Sequence, residues 1–229
     1  FIMAKTLILI PSRMSATRLP GKPLLKINNL SIISHVFKKA EEANIGEVVV
    51  ATEDKEILDD VKKNGGKAVL TSNTHKTGTD RIFEAYEKLN IKDIDFILNL
   101  QGDEPNIDKN DIINLNNLMI NNDSEIGTLA AKIKNDKMMS DQNIVKVITE
   151  AKLERNNFPI ALNFIRNSFS KNIQNIYHHI GIYAYKISVL KKFICLDQTL
   201  SEKQNRLEQL RALDNNLNIH VALANFSPI

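Results

Sequence analysis

The strongest constraint on this chain is the rhythm of its first 120 residues. Short apolar runs alternate with segments whose apolar residues fall at helical spacing, and the connections are only a few residues long. Residues 6–10 form a β-rich run closed by Pro11. Over 31–43 the apolar positions Ile32, Ile33, Val36, Phe37 and Ala40 mark one helix face. A second strand is expected at 48–51, then a helix capped by Asp54, running to Lys63 and ended by Gly65-Gly66. A third strand at 68–70, a helix over 81–89, a fourth strand at 95–100 and a helix over 108–120 continue the pattern. Parallel strands need crossover connections, and helices are the usual ones, so the alternation predicts a mostly parallel sheet covered on both faces. The second half is more mixed. Residues 126–133, 144–148, 180–185 and 219–224 read as strands, and 187–193 and 202–215 as helices. The expectation is one α/β domain over 1–229, a three-layer α/β/α architecture on a mixed but mostly parallel central sheet.

Composition removes the competing classes. Hydrophobic residues make up 43% and charged residues 25%, which suits a chain with a sizeable core. No apolar run approaches the roughly 20 residues of a membrane span, and no basic-then-apolar leader is visible. A single cysteine, Cys195, cannot close an internal disulfide or furnish a cysteine-based zinc cage, so a reducing cytoplasm is the expected compartment. Thirty Lys and Arg against 27 Asp and Glu leave a net charge of +3, too little for a nucleic-acid coat. The placement of the charge is uneven: residues 1–40 hold seven Lys or Arg and no acidic residue. Such a block suits an anionic ligand; a solvated helix face around Lys38 and Lys39 is the plainer explanation.

In open parallel sheets, ligands bind outside the carboxyl ends of the strands. The loop leaving the first strand there reads Pro11-Ser12-Arg13-Met14-Ser15-Ala16-Thr17-Arg18-Leu19-Pro20-Gly21-Lys22-Pro23. Arginine can fork onto phosphate oxygens and lysine adds a mobile point charge, so Arg13, Arg18 and Lys22 are candidate phosphate ligands. An ordinary basic loop is the alternative, and the glycine-lysine pattern of a Walker loop is absent. His75-Lys76-Thr77-Gly78-Thr79-Asp80-Arg81 reads either as a ligand-facing helix entry or as a plain one. Asn99-Leu100-Gln101-Gly102-Asp103-Glu104-Pro105 puts carboxylates at the carboxyl edge of the fourth strand. Magnesium takes hard oxygen ligands, typically one or two carboxylates plus substrate phosphates. Asp103 is the better candidate because Gly102 frees the strand tip, and Glu104 reads as a structural cap. His178 and His179 are adjacent in a strand and point to opposite faces, so at most one can serve a site. Leu207-Glu208-Gln209-Leu210-Arg211 is one amphipathic turn with Leu207 and Leu210 toward the core.

Taken together, these segments resemble the 3-deoxy-manno-octulosonate (Kdo) cytidylyltransferases, the CMP-Kdo synthetases. Their opening signature is I-P-A-R-x-x-S-T-R-L-P-G-K-P-L; here Ser12 replaces alanine and Ala16 replaces serine. The family's H-x-S-G-T-E/D-R is kept with Thr77 for serine, and Q-G-D-E-P matches letter for letter. H-x-G-I-Y-x-Y and L-E-Q-L-R match at 179–185 and 207–211. Asn143-Ile144-Val145-Lys146-Val147 follows N-x-V-K-V, and 161–166 follows A-L-Y-F-S-R with Asn163 and Ile165 as departures. The family's next I-P-W is missing.

The resemblance spans Leu7 to Ala224 and implies a Rossmann-like nucleotidyltransferase fold. It implies the reaction CTP plus Kdo to CMP-Kdo and pyrophosphate, a step of lipopolysaccharide biosynthesis. By the same resemblance Arg13, Thr17, Arg18, Lys22, Thr79, Arg81 and Gln101 hold the nucleotide, with Arg13, Lys22 and Asp103 catalytic and Mg²⁺ on Asp103. Arg166, His179, Tyr183, Glu208 and Gln209 would orient the sugar acid. The first half would then bind nucleotide, and the second half sugar and a second copy in a homodimer. The family continues with G-V-D-T-x-x-D-L, whose first Asp completes metal coordination; the sequence stops at Ile229, so an intact fold with an incomplete metal site is expected. A transferase for another acidic sugar such as sialic acid, and a catalytically incomplete nucleotide-binding fragment, are the alternatives.

Overall fold

The computed structural model describes residues 3–15, 19–167 and 173–225. The chain forms two compact units that divide between Asn116 and Asn117. The first contains β1 (Thr6–Ser12), a small hairpin of β2 (Lys26–Ile27) and β3 (Leu30–Ser31), α1 (Ile32–Glu42) and β4 (Gly46–Thr52). It continues with α2 (Lys55–Lys63), β5 (Lys67–Leu70), α3 (Gly78–Leu89), β6 (Phe96–Asn99) and α4 (Lys109–Asn122), within which the boundary falls. Strands β6, β1, β4 and β5 lie side by side in that order, every pair parallel. Leu7, Ile8, Leu9 and Ile10 on β1 are each 0% exposed. Consecutive strand side chains point to opposite faces, so both faces of this strand are covered, as the unbroken apolar run requires. Ile33, Val36, Phe37 and Ala40 of α1 are buried at the predicted spacing, and the Ser31 hydroxyl caps the helix by accepting the Ser34 N–H at 3.2 Å.

Three local expectations need correcting. Strand β1 does not close at Pro11 but pairs through Pro11 to Ser12 against Ala51 and Thr52. Proline has no N–H for the ladder, and one residue from a strand end that loss is tolerated. Helix α3 starts at Gly78 rather than Arg81, because Thr77 caps it by accepting the Asp80 N–H at 3.2 Å. Asp54 does sit at the N-cap of α2, yet its carboxylate makes no capping bond and instead accepts the Met14 N–H at 2.7 Å.

The second unit contains β7 (Ile126–Ala131), α5 (Asp136–Ser140), β8 (Lys146–Thr149), β9 (Ala161–Ile165) and β10 (Ile176–Lys186). It ends with α6 (Ile187–Ile194), α7 (Leu200–Asn205), α8 (Gln209–Asp214) and β11 (Ile219–Leu223). Strand β11 runs parallel to β7, whereas β7–β10, β10–β8 and β8–β9 are antiparallel. Fully buried Lys146 on β8 donates to the carbonyls of Asp141 and Arg166 at 2.6 and 2.7 Å, and burial lowers its pKa. The helix expected over 202–215 is two helices, broken at Arg206, whose φ of 54° is left-handed. The apolar spacing at Leu207 and Leu210 survives the break, so periodicity alone reads through it. Across the break a buried pair ties the helices, Arg211 Nη2 standing 2.5 Å from Glu202 Oε1. Among the described residues, no helix is long and apolar enough to cross a membrane.

Candidate functional site

A cavity of about 500 Å³ opens in the first unit. Pro11, Ser12 and Arg13 line it at the end of β1, Lys22 and Pro23 from the loop beyond, and Gln101, Gly102 and Asp103 from the exit of β6. Its far wall is His75, Lys76, Thr77, Gly78 and Arg81. The basic turn and the acidic strand tip therefore face one space. Lys22 Nζ stands 3.3 Å from Asp103 Oδ2, with the two side chains 32% and 58% exposed. An ion pair this wet contributes little to stability, so both groups remain available to a ligand.

Local geometry explains the meeting. Gly21, at φ +75°, turns the chain into a 3-10 turn that begins at Lys22, and its N–H closes the loop onto the Met14 carbonyl at 2.9 Å. A Cβ on Gly102 would lie 2.8 Å from the Pro11 carbonyl oxygen and 3.2 Å from Ser12 Cβ. Only glycine lets the exit of β6 pass the end of β1 this closely, which brings Asp103 to the cavity. Glu104 is half-buried beside it; burial and the Asp103 charge raise its pKa, and Lys22 partly offsets them. Thr17 and Arg18 lie outside the described residues.

Ser12 is 7% exposed, and its hydroxyl has no hydrogen-bond partner among the described residues. Removing an enclosed, unpaired hydroxyl should help the ligand-free fold. Ser12→Ala is expected to raise unfolding stability by about 1 kcal/mol in urea titrations; a loss would mean that the hydroxyl is paired after all.

Arg81 reaches the cavity wall with its guanidinium engaged. It is 3% exposed, donates from Nη1 to Thr71 Oγ1 at 2.6 Å and the Ser72 carbonyl at 3.1 Å, and from Nη2 to Glu53 Oε2 at 2.5 Å. These bonds join α3 to the segments after β4 and β5, while Arg81 also lines the cavity where a nucleotide is expected. Glu53 was not singled out in the sequence; its signal is a carboxylate at the carboxyl edge of β4, the place where a buried Arg81 needs one. Thr79 is buried at 6% exposure. His75 bonds through Nε2 to Glu84, which also holds Lys88 and the Ser72 N–H. Burial raises the Glu84 pKa, but those hydrogen bonds outweigh it and bring it to about 2.

In the second unit Tyr183, Tyr185, Phe193, Glu208 and Gln209 border a cavity of only about 30 Å³, room for about one water. The Tyr183 hydroxyl oxygen is enclosed with no partner among the described residues; burial, Tyr185 and Glu208 push its pKa up. Of the expected sugar ligands, Tyr183, Glu208 and Gln209 thus come together, and two others do not line this cavity. His179 is 8% exposed, with Nε2 2.9 Å from Thr128 Oγ1 and its ring edge-on to Phe164 at 5.0 Å. It sits 5.5 Å from the Tyr183 ring and does not line this cavity. Arg166 donates to the carbonyls of Asn205, Gln142 and Arg206 at 3.0, 3.4 and 3.2 Å, so it braces the break between α7 and α8.

Burial, with the neighbouring His178, depresses the His179 pKa from 6.5 to about 3. The neutral ring's contribution to stability is therefore complete above pH 6.5. It is lost as pH falls toward 3, since the unfolded chain takes up the proton first. By this shift alone His179 is expected to lower stability at pH 5 by about 2 kcal/mol relative to pH 7. His178 and His220, whose pKa values are also lowered by burial, add to the slope, and His179→Gln is expected to remove the His179 share. An unchanged slope in the variant would assign it to other groups.

No group of three or more His, Cys, Asp or Glu comes together among the described residues. A hard cation near Asp103 would thus need oxygens from a bound ligand to fill its shell, the usual habit of magnesium at phosphate sites.

A family model described as Cytidylyltransferase matches residues 7–219. The 3-deoxy-manno-octulosonate cytidylyltransferase of Thermodesulfovibrio yellowstonii is 42% identical over 232 residues, covering 96% of this chain and 91% of that protein. The enzyme of the same name from Nitrobacter winogradskyi is 42% identical over 231 residues, covering 98% and 88%. A solved structure of CMP:2-keto-3-deoxy-manno-octonic acid synthetase complexed with CTP superposes with a TM-score of 0.87 at 35% identity, covering 96% of this chain and 90% of that one. The α/β fold, with its mixed and mostly parallel strands, is the nucleotidyltransferase fold. The chain belongs to the 3-deoxy-manno-octulosonate cytidylyltransferase family.

Proposed function

We propose that this protein transfers the cytidylyl group of CTP to Kdo, releasing pyrophosphate, and that the cavity of the first unit holds the nucleotide. The observation that carries the reading is the meeting of Arg13 and Lys22 with Asp103 around one cavity, Lys22 and Asp103 being 3.3 Å apart. The anomeric hydroxyl of the sugar acid attacks the α-phosphorus in line. A new O–P bond forms, the bond to the β-phosphate oxygen breaks, and the hydroxyl proton leaves to solvent. No covalent enzyme intermediate is needed, so the protein's task is positioning and charge neutralisation.

Arg13 and Lys22, with Arg18 and Thr17 on the same loop, grip the triphosphate and neutralise the departing pyrophosphate. Gln101 and Thr79 take the nucleoside end. Asp103 would offer a hard oxygen to Mg²⁺, which when bound would supply Lewis-acid polarisation of the phosphoryl group. Tyr183, Glu208 and Gln209 orient the sugar acid, with His179 against the Tyr183 ring and Arg166 bracing the break that precedes the helix carrying Gln209. A cytoplasmic homodimer acting in lipopolysaccharide synthesis belongs to the same proposal.

The test is pyrophosphate release from CTP with Kdo or sialic acid in the presence of Mg²⁺. Turnover with Kdo and little with sialic acid is expected. Preference for sialic acid, or CTP binding with no turnover on any acidic sugar, would favour the alternatives. Lys22→Ala is expected to weaken CTP binding about tenfold or more; unchanged kinetics would make the loop structural.

A further inference from the structure

We infer that Asp54 is a positioning residue that clamps the nucleotide loop and so sets the separation of Arg13 and Lys22. The inference rests on the reading of this cavity as the CTP site. Among the described residues, four other helices have a Ser, Thr or Asn at the N-cap: Ser31, Thr77, Asn135 and Thr199. Each accepts a first-turn N–H with its side chain. Asp54 stands at the same position on α2 and makes no such bond. Aspartate is among the best capping residues, so a free first turn here needs another claim on the carboxylate.

That claim is the Met14 N–H, 2.7 Å from Oδ2 and 40 residues away in sequence. The Met14 carbonyl accepts the Gly21 N–H at 2.9 Å. One residue is thus held on both sides, by Asp54 and by Gly21, and the cations Arg13 and Lys22 are the immediate neighbours of the two held points. Asp54 is itself fixed. Its N–H donates to Thr52 Oγ1 at 3.1 Å, and its carbonyl accepts the Leu58 N–H at 3.2 Å as the first bond of α2. The clamp transmits the rigidity of the β4–α2 turn to a loop that otherwise crosses Pro and Gly. Without it, binding the triphosphate must also order the loop, which reduces affinity without removing a single ligand contact.

Asp54→Ser separates capping from clamping. Serine caps a helix well, but its hydroxyl is one atom too short to take over the carboxylate's bond to Met14. Asp54→Asn keeps an oxygen that can accept the bond. Three readouts are compared: thermal midpoint, hydrogen exchange of the Met14 amide in the ligand-free protein, and affinities for CTP and CMP. For Asp54→Ser we expect a midpoint near wild type, Met14 exchange at least tenfold faster, and CTP affinity about tenfold lower with a smaller loss for CMP. Asp54→Asn should recover most of both losses.

Wild-type exchange at Met14 in Asp54→Ser would overturn the clamp. Faster exchange with unchanged CTP affinity, or equal losses for CTP and CMP, would overturn its role in placing the cations. A wild-type protein that binds no CTP would sink the reading of the cavity, and with it that role, while the exchange result still decides whether Asp54 holds the loop.

Discussion

Asp103→Ala is expected to lower the rate of CMP-sugar formation about 10³-fold while leaving the unfolding midpoint within about 2 °C of wild type. Both halves follow from exposure and partners. The Asp103 side chain is 58% exposed, and its one ion-pair partner among the described residues, Lys22, is 3.3 Å away. The folded state therefore loses little when the carboxylate goes. On the proposed mechanism the transition state loses far more, because charge builds on the phosphoryl oxygens where the carboxylate paired with Lys22 would anchor a cation. Several kcal/mol of such stabilisation correspond to about three decades in rate. Near-normal turnover in this variant would take Asp103 out of the mechanism. A large drop in stability would instead make it a structural residue.

Arg81→Ala is expected to behave the opposite way, costing about 3 kcal/mol or more of stability. The guanidinium is 3% exposed, and its removal leaves the Glu53 carboxylate, 16% exposed, without its counter-charge. It also frees Thr71 and Ser72 of their hydrogen bonds. Replacing both partners by apolar residues, as in Arg81→Met with Glu53→Met, should recover much of the loss, since no unpaired charge then remains. If Arg81→Ala kept full stability and lost CTP affinity alone, Arg81 would be a nucleotide ligand, as its motif implies. Chemical unfolding of the single and double variants, alongside CTP titration of the folded protein, distinguishes the two.

The contrast between these residues shows what a sequence of this kind discloses. The parallel half was legible because its strands are short continuous apolar runs and its helices keep one clean face; burial on β1 and α1 follows that pattern residue by residue. The cavity was legible because the chain reverses at the carboxyl edge of a parallel sheet, and Gly21 and Gly102 mark where the backbone must turn or pass closely. Less legible was which polar residues face the cavity and which serve the fold. His179, Arg166 and Arg81 also lie in stretches that follow the family's motifs, yet each is engaged by protein groups: Thr128, three backbone carbonyls, and Glu53 with its neighbours. Such partners lie between 28 and 51 residues away for Arg81 with Glu53 and His179 with Thr128, and no local pattern encodes them. The break at Arg206 was hidden for a related reason, since a left-handed residue other than glycine leaves the apolar spacing on either side intact.

A crystal structure of the protein with CTP and Mg²⁺ tests directly whether Arg13, Lys22 and Asp103 meet around one nucleotide. The triphosphate is expected between the Arg13 and Lys22 side chains, with the cation bound to Asp103 and to phosphate oxygens. A nucleotide whose phosphates lie away from both cations, or a cation with no contact to Asp103, would contradict it.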